Sequence, residues 1–446
     1  MLEDLKDKKI LILGMGKEGR DSYLALRKLF PAKILAIADK NNNLIIKDKN
    51  LKLYLGDGYL SSIGDYDLII KTPGISLEKL GSSLLWKPSF GELTSQTEIF
   101  FDNFPGLIVG VTGTKGKGTT STLIYEILKK AGLKVYLGGN IGQPVLQYLL
   151  KAKPEDVFVY ELSSHQLQGL KKSPPIAVFL NLFSDHLDYY KNFADYHNAK
   201  ANIAKYQTKN DYLIFNAKDK LVSAISQKAK SLKIDFNQDK KYYKTILPGE
   251  FNQLNIKAAV AVAGLFMVKP EIIKTAVKNF KGLPHRLEFT GKFKGIEFYN
   301  NSMATVPETT ILDLQTFNGR PISLIAGGSD KGSDYSLLAK EIAKSSVKNL
   351  IILGQGTGER ILKEMSGVRP PKNLDPALGG SDPRQLRYFQ TSAMEEAVKI
   401  CYQQTPKNGV CLLSPASASF NLFKDYQDRG EQFKKFVKRY ANQKNT

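Results

Sequence analysis

Residues 107–131 constrain this chain more than any other stretch. A buried-strand run, Leu107-Ile108-Val109-Gly110-Val111, passes straight into Thr112-Gly113-Thr114-Lys115-Gly116-Lys117-Gly118-Thr119-Thr120. A helical pattern follows from Ser121 to Ala131 and stops at Gly132, a natural C-terminal cap because glycine takes the left-handed backbone at little cost. Strand, glycine-rich loop, lysine, hydroxyls and helix form the layout of a phosphate-binding loop. Successive backbone amides cradle phosphate oxygens, and the lysine reaches the outer phosphates. The strict pattern GxxxxGK[ST] is not met: Val111 stands at its first glycine, and Gly118 follows Lys117 where a hydroxyl belongs. Thr119 is therefore the expected substitute. A flexible turn is the plain alternative, and it leaves the convergence of lysines, glycines and hydroxyls on one junction unexplained.

The rest of the chain fits around that motif as an α/β protein. Near the start, Lys9-Ile10-Leu11-Ile12-Leu13 reads as a strand, Gly14-Met15-Gly16-Lys17-Glu18-Gly19 as a turn, and Asp21 to Phe30 as a helix. A second apolar run, Ile34 to Ala38, ends at Asp39, 20 residues after Gly19. That is the dinucleotide fingerprint, in which glycines permit a tight turn and helix amides face a pyrophosphate. A further strand, Leu68-Ile69-Ile70, runs into Thr72-Pro73-Gly74-Ile75. Strand patterns recur at Val157–Tyr160, Ile176–Leu180, Ile322–Ala326, Leu350–Leu353 and Val410–Leu413, with helices between. Such alternation implies parallel sheets covered on both faces. Three domains are expected: a Rossmann-like N-terminal domain over 1–95, a central P-loop ATPase-type domain with a mostly parallel sheet over 96–283, and a C-terminal Rossmann-like α/β domain over 284–446. Residues 366–386, rich in Pro, Gly and Asp, read as a loop, and the lysine-rich last residues as a helix with a frayed tail.

Composition narrows the function. A length of 446 residues suits about three domains at ~150 residues each. With 42% apolar and 24% charged residues, the chain is neither disordered nor fibrous. No apolar run reaches the ~18 residues of a bilayer span, so no membrane insertion is expected. The acidic start, Met1-Leu2-Glu3-Asp4-Leu5, lacks a signal core, and two cysteines make no disulfide framework, so a cytoplasmic location is expected. The net charge of +21 raises the question of nucleic acid. The excess is scattered lysine without a basic tail or a nucleic-acid motif, so an anionic small-molecule substrate is the better expectation.

Carboxylates gather where the loop would need a metal. Glu161 ends the strand Val157–Tyr160, and Asp185-His186-Leu187-Asp188 follows the strand Ile176–Leu180. A carboxylate at a strand end beside a phosphate loop is a natural Mg²⁺ ligand. Imidazole is uncommon for Mg²⁺ but suits Mn²⁺ and mixed sites. The chain has only four histidines, and His186 is singled out by its company.

These motifs, with others in order, resemble the Mur ligase family. They are Gly113-Thr114-Lys115-Gly116-Lys117, Gly139-Asn140-Ile141-Gly142, Glu161-Leu162-Ser163-Ser164 and Asp185-His186-Leu187-Asp188. The series continues with Gly249-Glu250-Phe251-Asn252-Gln253-Leu254-Asn255, Pro284-His285-Arg286, Asn301-Ser302-Met303-Ala304-Thr305 and Gly327-Gly328-Ser329-Asp330-Lys331. The closing run from Leu413 through Phe420 to Asp428-Arg429-Gly430 looks most like the family's D-glutamate-adding branch. The resemblance covers nearly the whole chain. It implies an ATP-dependent amide ligase of peptidoglycan synthesis whose partners are ATP, UDP-N-acetylmuramoyl-L-alanine and D-glutamate, working through an acyl phosphate. It also implies two Mg²⁺ sites that Mn²⁺ can fill, and a monomer.

Carried over by position, the resemblance assigns phosphates and nucleotide to Gly113 through Thr120, with Asn255, Arg286 and Asn301. The metals fall to Thr119, Glu161, His186 and Lys200, the last matching a lysine that the family carries as a carbamate. The UDP-substrate falls to Gly14, Met15, Gly16, Lys17, Asp39, Lys40, Thr72, Pro73, Gly74 and Asn140. The amino acid falls to Thr305, Lys331, Ser419 and Tyr426. Lys117, His186, Lys200 and Lys331 make up the catalytic set. The family's usual Asp-Ser-Lys-Ala-Thr is here Asn301-Ser302-Met303-Ala304-Thr305, without the carboxylate and the ammonium. Phe251 stands where histidine is common, and Tyr426 where phenylalanine is common. Competing readings are a sibling ligase adding L-glutamate or another amino acid, motivated by the 301–305 change, an NAD-dependent oxidoreductase, motivated by the Gly14–Gly19 fingerprint, and a non-catalytic homologue, motivated by Gly118.

Overall fold

The computed structural model describes residues 3–76, 80, 91–141, 145–183, 189–330, 332–368, 386–420 and 422–443. Three sheets carry the chain. The first holds β1 (Ile10–Leu13), β2 (Leu35–Asp39), β3 (Leu51–Leu55), β4 (Leu68–Lys71) and β5 (Glu92–Ser95), in the order β3-β2-β1-β4-β5, parallel throughout. The second holds β6 (Leu107–Thr112), β7 (Val135–Gly139), β8 (Val157–Glu161), β9 (Ile176–Phe179), β10 (Tyr212–Phe215) and β11 (Leu232–Asp235). Its order is β11-β10-β9-β6-β8-β7, again parallel. The third holds β12 (Glu288–Phe293), β13 (Ile296–Asn300), β14 (Ile322–Ala326), β15 (Val347–Leu353), β16 (Arg387–Thr391) and β17 (Val410–Leu413). It runs β12-β13-β17-β14-β15-β16, with β12 antiparallel and the rest parallel.

The central strands show why the chain folds this way. β1, β4, β8, β9 and β14 are buried at every position, as strands covered by helices on both faces must be. β1 and β6 lie inside their sheets, with the strand order reversing beside them. In open parallel sheets the crevice at the carboxyl ends of such strands is where ligands bind.

Two compact units result: Met1–Lys244 with Gln253–Lys278, and Thr245–Asn252 with Asn279–Thr446. The first two sheets belong to the first unit, and one apolar core serves both. Ile10, Ile12 and Leu26 share it with Phe100, Phe158 and Tyr160. The Phe100 ring centroid lies 4.5 Å from that of Phe158 and 5.5 Å from that of Tyr160. Each buried ring contributes about 2–3 kcal/mol. Asp21 adds polar ties, accepting hydrogen bonds from Gln96 Nε2 (3.0 Å), Leu146 N (3.1 Å) and Gln147 Nε2 (2.8 Å).

Several element ends differ from the sequence reading. The helices begin at Lys17 and Lys117, four residues ahead of the apolar pattern at Asp21 and Ser121. Their first turns are Gly-, Lys- and Thr-rich because they belong to the loops, so hydrophobic periodicity does not register them. Ser366 to Val368 end the helix Thr357–Val368, where a loop was expected, and 369–385 lie outside the described residues. Antiparallel β12 was not foreseen, since its residues are half-exposed and carry no apolar run. Among the described residues, no helix is long and apolar enough to cross a membrane.

Candidate active site

The phosphate loop leaves the carboxyl end of β6, and the helix Lys117–Lys130 begins at once behind Gly116. Gly116 is the N-cap with φ +87°, a left-handed backbone. A Cβ there would lie 2.3 Å from Asn255 Oδ1, so the position needs glycine for space as well as for conformation. The first turn carries no acidic residue, which keeps its amides available to an anion. Lys117 Nζ donates to the carbonyls of Gly113 and Thr114, both at 2.9 Å. Gly116 and Gly118 flank it in the chain. Thr119 is half-buried, whereas Thr120 and Ser121 are fully buried, and their hydroxyls have no hydrogen-bond partner among the described residues. Thr119 is thus the accessible hydroxyl of this run.

Side chains from neighbouring strands fix the loop. Asn181, just past β9, clamps Lys115 from both sides: its Oδ1 accepts from Lys115 N (2.9 Å) and its Nδ2 donates to Lys115 O (3.0 Å). Thr114 Oγ1 is 3.0 Å from Tyr196 Oη. Lys200 sits one turn further along the helix Phe193–Lys205 and is buried. Its Nζ donates to Gly113 O at 2.9 Å and lies 5.2 Å from the Tyr196 ring centroid. Sequence reasoning passed over Asn181 and Tyr196. The signals were a polar residue directly after a buried strand, and an i, i+4 pair on one helix face.

Glu161 closes this cluster at the end of β8. It is 1% exposed. Asn140, just past β7, donates from its backbone N to Glu161 O (3.0 Å) and from Nδ2 to Glu161 Oε1 (2.6 Å). The other carboxylate oxygen, Oε2, is buried without a hydrogen-bond partner among the described residues. A desolvated, half-satisfied carboxylate is costly unless a cation or donor completes it. The expected residues Gly113 to Thr119, Asn140, Glu161, Lys200 and Asn255 are therefore brought together here. Asp185, His186, Asp188 and Lys331 lie outside the described residues. No cluster of three or more His, Cys, Asp or Glu side chains suited to a metal forms among the described residues.

A second glycine loop leaves β1. Gly14 has φ +91°, and a Cβ there would overlap Thr72 Oγ1 at 2.2 Å. Thr72 Oγ1 donates to Leu13 O (2.9 Å). Asp39 accepts from Met15 N through Oδ2 and from Asn41 N (2.7 Å) through Oδ1. Gly16, Lys17, Lys40 and Gly74 are exposed, and Pro73 is half-buried. Behind the loop, Lys71 Nζ donates to Ile75 O (2.8 Å), and burial pushes its pKa down to about 8. Glu18 accepts from Gln166 Nε2 (2.6 Å), and burial pushes its carboxyl up to about 7, opposed by Gln166 and Lys71.

The remaining expected residues lie in the second unit. Arg286 Nε donates to Met303 Sδ (3.2 Å). Asn301 N donates to Leu413 O (2.8 Å), and its Nδ2 to Asp313 Oδ2 (2.6 Å). Thr305 and Tyr426 are half-buried, and Ser419 is buried. Fully buried Arg429 ties the loops that carry them. Its Nε donates to Ser302 Oγ (2.9 Å), Nη2 to Ser302 O (2.7 Å), and Nη1 to Ser417 O (3.1 Å). Burial lowers its pKa to about 10, so it stays charged at neutral pH.

Comparison with known proteins agrees across the chain. Residues 111–246 match the model of the Mur ligase middle domain. A UDP-N-acetylmuramoylalanine--D-glutamate ligase of Acetivibrio thermocellus is 35% identical, covering 97% of each chain. One from Caldanaerobacter subterraneus subsp. tengcongensis is 34% identical over 97% of this chain and 99% of its own. Among solved structures, MurF ligase from Thermotoga maritima in complex with ADP superposes with a TM-score of 0.59 at 15% identity, over 99% of this chain and 96% of that one. UDP-N-acetylmuramate-alanine ligase MurC from the same organism gives 0.56 at 18% identity, over 98% and 100%. At such identities these two likenesses speak for the fold.

Proposed function

The chain belongs to the Mur ligase family, ATP-dependent ligases of peptidoglycan precursor synthesis, and from that premise we propose that it joins D-glutamate to UDP-N-acetylmuramoyl-L-alanine. ATP phosphorylates the terminal carboxylate of the UDP-substrate. The glutamate amine then attacks the acyl carbon, and phosphate leaves as the amide forms. The observation that carries this reading is the meeting of the phosphate loop, Lys117 and the half-satisfied carboxylate of Glu161 at the carboxyl ends of neighbouring strands β6 and β8.

Each residue has a task that its surroundings support. The amides behind Gly116 and the Lys117 ammonium meet charge that builds on the transferred phosphoryl group. Asn181 and Tyr196 hold the loop so that this field is in place before reaction. Glu161 Oε2 and the Thr119 hydroxyl are hard oxygen donors, and a desolvated carboxylate oxygen with no donor of its own fits Mg²⁺. Mg²⁺, when bound there, supplies charge neutralisation to the phosphates. Lys200 as an ammonium repels a cation, so it joins the metal set only as a carbamate, whose oxygen is anionic. Its burial against Gly113 supports that reading. His186 is proposed for the second metal, and Lys331, Thr305, Ser419 and Tyr426 for glutamate. The Gly14 loop, Asp39, Lys40, Thr72-Pro73-Gly74 and Asn140 are proposed for the UDP-substrate. The three sheets are read as domains for UDP-substrate (1–95), ATP (96–283) and amino acid (284–446), in a cytoplasmic monomer.

The test is phosphate release from ATP with UDP-N-acetylmuramoyl-L-alanine and Mg²⁺, adding D-glutamate, L-glutamate, other amino acids or none. Release that needs D-glutamate, with a product heavier by one glutamyl residue, is expected. Release with a different amino acid moves specificity to the altered 301–305 loop, where Met303 engages Arg286. No release under any condition defeats the reading.

A further inference from the structure

A polar chain that the proposed reaction does not use joins the two glycine-loop regions of the first unit. Glu18 sits in the first turn of the helix behind the first loop. Its Oε1 accepts from Gln166 Nε2 at 2.6 Å, across 148 residues of chain. Its backbone is pinned as well, since Glu18 O accepts from Gln96 Nε2 (3.0 Å) and from Ser22 Oγ (2.9 Å). Gln166 is 3% exposed and lies on the short helix Ser164–Leu167, just past Glu161. The other end of its amide closes a capping box. Gln166 Oε1 accepts from Ser163 N (2.9 Å) and Ser163 Oγ (3.1 Å), and Ser163 Oγ accepts from Gln166 N (3.2 Å).

Leu162 alone separates Glu161 from this box, and its backbone is tied to the phosphate loop. Leu162 N donates to Val111 O (2.9 Å), and Leu162 O accepts from Thr112 Oγ1 (2.8 Å). Val111 and Thr112 end β6, where the loop begins. The backbone that follows Glu161 is thus set by β6 at Leu162 and by the cap at Ser163. The cap fixes Gln166 in turn. Ser163 N only donates, so Oε1 must face it and Nε2 must face away. A buried amide N–H turned away from its cap needs an acceptor, and Glu18 supplies one. Without that acceptor the amide gains by swinging out to water, and the cap on Ser163 goes with it.

We propose that Glu18 is a positioning residue for the metal carboxylate: through Gln166 it holds the segment after β8 so that Glu161 Oε2 meets a divalent cation at the phosphate loop. The helix that opens at one glycine loop thereby sets the metal end of the other. All of these residues belong to one compact unit. The inference rests on the reading of Glu161 as a metal ligand, which its buried Oε2, without a hydrogen-bond partner among the described residues, supports. What Gln166 needs from position 18 is an acceptor oxygen rather than a charge. Motif spacing does not point to Glu18, because an acid in a helix's first turn has an ordinary explanation in the helix dipole.

The experiment measures by calorimetry how tightly the full chain binds AMP-PNP, a non-hydrolysable ATP analogue, with Mn²⁺ and with EDTA. The ratio of the two affinities is the metal's contribution, read without turnover. The native chain is expected to bind about tenfold or more tightly with Mn²⁺. Glu161→Gln should lose most of that advantage, which marks the ion's place. Glu18→Ala should cut the advantage about threefold to fivefold at unchanged stoichiometry, the worth of one hydrogen bond. Glu18→Gln keeps an acceptor oxygen and should recover most of the loss. Gln166→Met should lose as much as Glu18→Ala, and the two together should lose little more than either alone. In the phosphate-release assay, KM for Mg²⁺ should rise in step, with a smaller change in kcat.

A merely structural role for Glu18 would weaken AMP-PNP with and without Mn²⁺ alike and leave the ratio native, which would overturn the proposal. So would a Glu18→Gln variant as impaired as Glu18→Ala, since the charge rather than the acceptor would then matter. If Glu18→Ala does not fold, Gln166→Met runs the same test from the other end of the bond, and a native ratio there overturns the proposal equally. Failure of the metal reading looks different. A native chain indifferent to Mn²⁺, or a Glu161→Gln variant that keeps the whole advantage, removes the ion from Glu161 and the proposal with it.

Discussion

The first unit holds two loops built on one plan and wired oppositely. After β1, glycines lead into the helix Lys17–Leu29, and the loop's amide at Met15 is already engaged by the Asp39 carboxylate. After β6, glycines lead into the helix Lys117–Lys130, and the loop is braced by the neutral Asn181 amide, with the Lys117 ammonium on its carbonyls. An acid at the first loop lowers the local potential and occupies an amide. That suits sugar hydroxyls or a weakly charged diphosphate better than a triphosphate. A cation and a neutral brace at the second keep its amides electropositive. Glycine spacing alone therefore does not say which loop receives the more highly charged ligand; the side chain that braces it does.

Removing the second loop's cation should break the comparison most severely. Lys117→Ala is expected to cut the rate of phosphate release by about 10²–10³-fold, the worth of one preorganised donor at a developing anion. Its Tm should stay near that of the native enzyme. Unimpaired turnover would place the phosphates elsewhere. Asn181→Ala comes next. It frees both Lys115 backbone groups, and a loss of about 1–3 kcal/mol at a part-buried clamp corresponds to roughly ten- to hundredfold in kcat/KM for ATP. A variant with native kinetics would make the clamp dispensable.

Much of this contrast can be read in the sequence, and its missing parts have a common cause. Leu107–Thr112 and Ile10–Leu13 are unbroken apolar runs, so their strands and the loops after them stand out. The braces do not. Asn181 lies 66 residues from Lys115, so only the folded sheet brings them together. Tyr196 and Lys200 are spaced for one helix face, but the sequence does not say that this face meets the phosphate loop. Lys200 entered through resemblance alone, as one of 64 basic residues, and its burial is a property of the fold. The shared core of the first two sheets is equally hidden, since Phe100 and Phe158 look like any other apolar residues until they meet.

A milder change sharpens the contrast at the first loop. Asp39→Ala removes the acceptor for Met15 N, and KM for the UDP-substrate should rise about five- to tenfold, with KM for ATP unchanged. Asp39→Asn keeps an acceptor oxygen and should recover most of the loss. Equal effects on both KM values would show that the two loops do not act separately.

The smallest expected effect concerns stability against pH, and it comes from the ionisable pair behind the first loop. Glu18 titrates near 4.5 when unfolded and about 7 when folded, raised by burial. Between those values the folded chain holds a proton that the unfolded chain has released, so this group makes stability fall as pH rises from 4.5 to 7. Lys71 runs the other way, lowered by burial from 10.5 to about 8. From pH 8 to 10.5 the unfolded chain binds a proton that the folded chain does not, so stability rises with pH over that window. Asp313, raised by burial to about 7, adds to the falling limb. At about 1.4 kcal/mol for each pH unit between folded and unfolded titration midpoints, each group contributes about 3–4 kcal/mol at most, and the falling limb, which more than one group shares, is the larger. Replacing both partners together, Glu18→Gln with Lys71→Met, avoids leaving one buried charge alone. Relative to the native chain, the double variant should lose the Tm rise between pH 8 and 10.5 that Lys71 supplies, and part of the fall between 4.5 and 7, the remainder belonging to Asp313 and the other acids that burial raises, Asp21 and Glu98. Calorimetric Tm profiles that coincide at every pH would mean that neither group titrates differently for being buried behind the loop.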